Sequence, residues 1–180
     1  MKTYIALFRG INVGKTSSLR MKELVAILER LGFQNVRTYI QSGNVALQHP
    51  DEDTSRLSSK VSAAIKKTHG FELHVVLLTS DELIKAMAGN PFPEAEAEPQ
   101  TLHLGFLASA PVNPDLKGLE RIKTDSERFL LKGSTFYLHA PDGIGRSKLA
   151  ASAEKLLGVP MTDRNWRTVC KIADMVKEIK

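Results

Sequence analysis

The chain has 180 residues, of which 42% are hydrophobic and 25% charged, a composition typical of a globular protein and not of a disordered chain. The net charge of +5 admits an anionic partner, but the basic residues are scattered and their excess lies mainly in residues 1–90. Cys170 is the single cysteine, which excludes an internal disulfide and favours a reducing compartment. The N-terminal apolar run is too short for a signal peptide, and no stretch approaches the ~20 apolar residues of a membrane span, so we predict a cytoplasmic protein without membrane association.

The first half predicts the order strand, helix, strand, strand, helix, strand. Apolar spacing places these elements at 4–8, 21–31, 36–41, 44–48, 57–69 and 73–78, with a tight turn at Ser42-Gly43. This is the split βαβ, or ferredoxin-like, order, in which both helices cover one face of an antiparallel sheet. A further helix is predicted at 81–88.

The second half repeats this pattern in a degenerate form. We predict a strand at 102–107, a helix at 115–122, a hairpin of strands at 128–132 and 135–139, and a helix at 147–157. Apolar residues from Trp166 to Val176 have helical spacing, so we expect the chain to end in a helix instead of a fourth strand. We predict an α+β fold of two ferredoxin-like halves, at 1–89 and 101–180. The linker at 90–100 is rich in proline, which argues against regular structure there.

The segment from Arg9 to Thr16 ends in Gly-Lys-Thr and resembles a phosphate-binding P-loop. That loop requires a glycine five residues before the Gly-Lys pair, and this position is Arg9. No parallel βαβ series follows, so we reject ATP hydrolysis. A flexible glycine-containing loop before a helix remains.

Two other segments could bind an anion or another ligand. Arg146 and Lys148 flank Ser147, a natural N-cap, so the start of that helix could bind an anion, although a plain turn with solvated cations explains it slightly better. Thr162 or Asp163 could cap the last helix. Arg164 and Asn165 would then begin it and could face a ligand, although exposed polar groups at a helix start usually have no specific role. Trp166 lies on the apolar stripe and is expected in the core.

Nucleic-acid binding is an alternative, because RNA-recognition motifs share the split βαβ order. Tyr4 and Phe8 share one face of the first strand, and Arg37 and Tyr39 could join them, but the third strand lacks the matching aromatic residue. The other interpretation is that these aromatic residues pack against the second half. No histidine lies at metal-ligand spacing, no cofactor motif is present and no nucleophile can be named, so neither a metal nor a cofactor is predicted and the question of an enzyme stays open.

Several segments together resemble the bacterial domain of unknown function 1697 family. They are residues 4–14, 37–45, 90–93, 137–139, 141–149 and 164–169, and they occur in order over nearly the whole chain. The family usually continues the first loop with a second glycine and then a lysine, whereas this chain has Gly14-Lys15-Thr16. The resemblance implies an α+β fold with ferredoxin-like parts and implies no activity.

The polar residues of these segments fall at strand ends or helix starts. They are Arg9, Asn12, Gln41, Ser42, Asn44, Arg146, Ser147, Lys148, Arg164 and Asn165. We expect some of them to converge on a cleft between the halves and to bind a small anionic or phosphorylated ligand. A nucleic-acid-binding protein and an enzyme of unknown reaction are the alternatives.

Overall fold

A computed structural model describes residues 1–14 and 17–179. The chain forms two compact units. Unit 1 comprises Met1–Lys85 together with the residues from Lys171 onward, and unit 2 comprises Ala86–Cys170. Residues 90–100, which the sequence suggested as a linker, lie within unit 2.

Unit 1 contains one antiparallel sheet and its covering helices. Its elements are β1 (Lys2–Arg9), α1 (Met21–Arg30), β2 (Gln34–Tyr39), β3 (Asn44–His49), α2 (Thr54–His69), β4 (His74–Thr79) and α3 (Ser80–Ala88), whose last turn falls in unit 2. The strands lie in the order β2-β3-β1-β4, with every pair antiparallel. This is the predicted ferredoxin-like arrangement.

The sequence explains the helices of unit 1. In α1 the buried residues Leu24, Ile27 and Leu28 recur with helical spacing, so the helix presents one apolar stripe to the sheet. The side chain of Asp53 accepts a hydrogen bond from the Arg56 amide at the start of α2, and Gly70 ends that helix in the left-handed conformation.

Unit 2 repeats the same topology. Its elements are a 3-10 helix (Pro93–Ala97), β5 (Leu102–Leu107), α4 (Leu116–Ile122), β6 (Arg128–Lys132), β7 (Thr135–His139), a 3-10 helix (Ile144–Arg146), α5 (Lys148–Leu157), β8 (Met161–Asn165) and α6 (Trp166–Glu178), whose second part belongs to unit 1. The strand order β6-β7-β5-β8 matches that of the first sheet position by position.

The chain ends in a helix as predicted, but the expected loss of the fourth strand is wrong. β8 pairs with β5 in antiparallel register and completes the sheet. Of its five residues, only Thr162 is buried, so the strand carries no apolar alternation. A strand at the edge of a sheet has a neighbour on one side only and can remain polar, which is why periodicity did not reveal it.

The prolines of residues 90–100 do not exclude regular structure. A 3-10 helix spans Pro93–Ala97, and it begins with a proline, where the missing amide hydrogen costs no helical hydrogen bond. Phe92 and Ala95 are buried. The Cζ atom of Arg128 lies 4.6 Å from the centre of the Phe92 ring. Because Arg128 belongs to β6, this segment packs on the sheet of unit 2.

Trp166, the first residue of α6, is buried as predicted, at 7% exposure. In the part of the chain that the structure describes, no helix combines the length and the apolar character needed to cross a membrane.

Candidate functional site

Five of the ten predicted site residues lie at one corner of unit 1, where β1 ends and β3 begins. Leu7 pairs with Asn44, and the Phe8 amide donates to the Gly43 carbonyl at 2.9 Å, so the loop after β1 meets the turn between β2 and β3. We define the unit 1 corner as residues 9–14 and 40–44. Arg9, Asn12, Gln41, Ser42 and Asn44 all belong to it.

Asn12 ties the two segments of the corner together. Its side-chain amide donates to the Leu19 carbonyl at 3.0 Å and to the Gln41 carbonyl at 2.9 Å, while its side-chain oxygen accepts from the Leu19 amide at 2.8 Å. Its φ is +56°, a conformation that asparagine tolerates better than most residues. Asn12 is therefore a positioning residue that fixes the loop against the hairpin.

The backbone of the loop alternates in the sign of φ. Gly10, Asn12 and Gly14 have φ of +75°, +56° and +74°, whereas Ile11 and Val13 between them lie outside the positive region. Positive φ at alternate residues bends this segment tightly, and the Asn12 amide in its middle donates to the Ser17 carbonyl. Gly10 and Gly14 are exposed, and neither amide donates to another residue in the described ranges.

The hairpin turn contributes a buried amide and an exposed rim. The Asn44 side chain is fully buried and donates to the Ser42 hydroxyl at 2.9 Å and to the Tyr39 carbonyl at 3.3 Å. Gln41 and Ser42 are exposed. Ile40, predicted to continue the strand, instead lies in the turn with φ of +48° and is 54% exposed. Most residues of the corner are therefore exposed to solvent.

The departure from the family pattern at Lys15 and Thr16 lies outside the described residues. The Asn12 amide donates to the Ser17 carbonyl at 2.9 Å, a hydrogen bond that joins the chain before and after these two residues. At the start of α1, the Glu23 carboxylate accepts from the Arg20 amide at 3.3 Å.

Of the other five predicted residues, Arg146, Ser147 and Lys148 lie at the start of α5, at one end of the strands of the unit 2 sheet. At this end of the sheet β5 begins and both β7 and β8 finish. Ser147 is buried and its hydroxyl accepts from the Ala150 amide at 2.9 Å, so it caps α5 as predicted. Arg146 and Lys148 are exposed on either side of it.

Arg164 and Asn165 do not begin a helix. They are the last two residues of β8, and consecutive strand residues point to opposite faces of a sheet. Arg164 donates to the Thr162 hydroxyl at 2.9 Å and to the Asp163 carbonyl at 2.7 Å. Burial lowers the pKa of the Arg164 guanidinium, and the negative charge of Asp163 partly offsets this by raising it. Asn165, and not Thr162 or Asp163, caps α6, because its side-chain oxygen accepts from the Thr168 amide at 2.9 Å.

No sequence pattern pointed to the buried position of His103 in unit 2. His103 in β5 is 5% exposed. Its Nδ1 lies 2.8 Å from Asp163 Oδ2 and its Nε2 lies 3.0 Å from the Gln100 carbonyl. A carboxylate and a carbonyl accept hydrogen bonds, so this geometry favours the imidazolium form of His103, in which both ring nitrogens donate. Both ring nitrogens thus have partners within the protein.

The interpretation of Tyr4 and Phe8 as open-face aromatics is wrong. Both are buried in the core cluster of unit 1 together with helix residues such as Leu24 and Val61. They therefore lie on the face of the sheet that the helices cover, where they cannot stack on bases. The strand register places Arg37 and Tyr39 on the opposite face, in line with Ala46 and Asn44.

Within the described residues, no group of three or more His, Cys, Asp or Glu side chains is placed to hold a metal ion. A polar groove of about 450 Å³ lies beside α2 and β4, lined among others by Ser62, Lys66 and His74. None of the ten predicted residues is among its lining residues. Thus the structure brings together the five residues of the unit 1 corner. Within unit 2, the other five lie at the start of α5 and at the end of β8. Convergence of some of the ten residues on a cleft between the halves stays a prediction.

Comparison with known proteins gives a family and a shared fold. The family described as "Protein of unknown function (DUF1697)" matches residues 1–137. No curated protein matches the chain. Among solved structures, the chain is similar to the conserved bacterial protein SP0830 from Streptococcus pneumoniae. The two are 25% identical with a TM-score of 0.75, over 98% of this chain and 99% of that one.

Proposed function

The chain belongs to the DUF1697 family of proteins of unknown function, and from that premise we propose that it binds a small anionic or phosphorylated ligand at the unit 1 corner. The proposal is one of binding and specifies no reaction. We also propose a cytoplasmic location, because a chain with Cys170 as its single cysteine fits a reducing compartment.

The alternating φ of residues 10–14 is the observation that carries this proposal. Backbone amides without a partner carry partial positive charges, which favour a phosphate or a carboxylate over a neutral ligand. The exposed amides of Gly10 and Gly14 are available for this role. Because Asn12 fixes the loop by three hydrogen bonds, little conformational entropy remains to be lost when an anion binds.

The charge of the corner supports the same ligand class. Arg9 is exposed at the end of β1, next to Gly10. The sequence from residue 9 to residue 20 carries the basic residues Arg9, Lys15 and Arg20 and no acidic residue, and residues 40–44 carry none either. The two segments of the corner therefore contribute positive charge, which attracts an anion, and no carboxylate of their own.

A thermal-shift screen of phosphorylated metabolites tests the proposal. A ligand at 100 times its dissociation constant should add about 2.7 kcal/mol to the free energy of unfolding. In ¹H–¹⁵N spectra, inorganic phosphate should shift the amide signals of Gly10 and Gly14 more than that of Ala150 at the start of α5.

Arg9→Gln supplies the matched comparison. It should weaken phosphate binding about fivefold, because the charge-assisted contact is lost. Arg121→Gln removes the same charge from an exposed position on α4 and should leave the affinity unchanged. If the loop amides do not respond, or if both variants lose affinity equally, the corner is not the anion site.

A further inference from the structure

The strand β4 lies at the edge of the unit 1 sheet and pairs only with β1. The amide of Phe8 in β1 is directed to the β3 side, so its neighbour Leu7 is directed to β4, where it lies opposite Val76. Because this direction alternates along a strand, the amides and carbonyls of Val75 and Leu77 point away from the sheet. They form its outer edge.

Side chains close this outer edge at both ends and leave its centre open. The Leu73 carbonyl accepts from the Ser62 hydroxyl, and the Thr79 amide donates to the Glu82 carboxylate at 2.7 Å. Between these two contacts, no residue in the described ranges bonds to the outward groups of the strand. The open centre therefore offers amides and carbonyls to a further strand.

The other edge strands in the described part of the chain carry features that oppose such pairing. β2 is interrupted by a register shift between Gln34 and Arg37. β6 begins with Arg128 and ends with Lys132, and β8 is polar, with Asp163 at its centre. In contrast, β4 has the sequence HVVLLT, without lysine, arginine or proline, and its register with β1 is unbroken. It is the edge that is built to pair.

We propose that β4 pairs with β4 of a second copy of this chain, antiparallel and across a two-fold axis at Val76. In this register Val75 of each copy lies opposite Leu77 of the other, so every open amide and carbonyl of both edges finds a partner. The two Val76 side chains meet at the axis as a β-branched cross-strand pair. The positions that Ser62 and Glu82 occupy are not needed.

The charge of α2 favours a second copy over an unrelated strand. A two-fold axis perpendicular to the sheet keeps both α2 helices on one face and makes them antiparallel. Residues 51–53, which precede α2, are all acidic, and its last turn carries Lys66, Lys67 and His69. The acidic start of each helix is thereby brought towards the basic end of the other, and the helix dipoles oppose each other favourably.

The surface beside β4 leaves room for the second helix. A groove of about 450 Å³ lies between α2 and β4. On the α2 side, most of its lining residues are small, namely Ser58, Ser59, Ser62 and Ala63. Small side chains at this position allow the second copy to approach closely.

Sedimentation equilibrium of the full-length protein tests the pairing. The wild type should form a dimer of the 19.9 kDa chain. Val75→Lys should weaken the dimer by about tenfold or more, because it brings two lysines together across the axis. Leu131→Lys is the matched control, since it places the same charge on a partly buried apolar residue of the edge strand β6, and it should leave the dimer unchanged.

Hydrogen exchange of the wild type locates the interface without any substitution. The amides of Val75 and Leu77 should exchange about tenfold more slowly at concentrations where the dimer dominates than at dilution, whereas the amide of Leu131 should not change. A chain that stays monomeric up to about 1 mM overturns the inference. It also fails if the dimer forms without protection of the two amides, or if a folded Val75→Lys protein, checked by urea denaturation, dimerises as strongly as the wild type.

Discussion

At the scale of single residues, the unit 1 corner is shaped by backbone conformations that most residues avoid. Asn12, Ile40 and Gly43 all have positive φ within this small region. The Ser42-Gly43 turn was predicted from the sequence, because glycine commonly supplies such a conformation. The conformation of Ile40 could not be predicted, because isoleucine favours strands and only the hydrogen bonds around the turn impose the left-handed state.

We predict that Gly43→Ala is strongly destabilising. A Cβ at this position would lie 2.6 Å from both Phe8 Cβ and Ile11 Cγ2, and the residue has φ of +73°. The overlap and the strained φ together should lower the free energy of unfolding by about 3 kcal/mol, as measured by urea denaturation. Gly133→Ala is the control, because Gly133 has φ of +59° and no atom within 4 Å of the added Cβ. Its loss should be about 1 kcal/mol, and equal losses would contradict the steric account.

At the scale of elements, β8 matters because it brings Asp163 to His103. His103 pairs with Asn165, and Asp163 lies two residues away on the same face. Burial is the largest influence on the pKa of His103 and lowers it, but the hydrogen bond and charge of Asp163, helped by the Gln100 carbonyl, together outweigh burial and raise the pKa. Asp163 and that carbonyl are the groups that face the ring.

A raised histidine pKa makes the stability of the protein depend on pH. The stabilisation by the His103–Asp163 pair is fully present below the unfolded-state pKa of about 6.5, and it is lost as the pH rises through the folded-state pKa. Burial, followed by the charge of Arg128, lowers the pKa of His139, so the contribution of His139 is lost only as the pH falls. The two effects occupy different pH ranges.

We therefore predict that the free energy of unfolding falls from pH 6.5 to pH 9 in the wild-type protein and falls less in His103→Gln. At pH 6 this substitution should cost about 2 kcal/mol, the contribution of a hydrogen bond to a charged group. Urea denaturation at several pH values measures both quantities, and His139→Gln should retain the wild-type fall above pH 6.5. An identical pH profile for wild type and His103→Gln would show that the ring is neutral in the folded protein.

At the scale of the whole molecule, the net charge of +5 and the topology shared with RNA-recognition motifs raise the question of nucleic acid. The internal packing of unit 1 argues against base stacking, because Tyr4 and Phe8 lie within its core. Charge alone would give only non-specific, salt-sensitive binding.

We predict that single-stranded RNA binds no more tightly than about 10⁻⁶ M at physiological salt, without sequence preference, in mobility-shift experiments over a salt series. Tyr39→Ala should have no effect, because none of the aromatic ring pairs among the described residues includes Tyr39, and a stacking platform needs neighbouring rings. Tight binding that persists at high salt would restore the nucleic-acid alternative.

The sequence by itself determined the secondary structure of most of the chain, because apolar spacing follows the period of each helix and strand. It placed β5, β6 and β7 at the bounds that the structure shows, and it predicted the ferredoxin-like order and the family. It also predicted that Ser147 caps α5, since a cap depends on neighbouring residues alone. Only the tertiary structure decided that β8 exists, that Tyr4 and Phe8 face the helices and that His103 meets Asp163. Each of these depends on which strand lies beside another and in what register, and residues 60 positions apart in the chain carry no local pattern that reports their contact.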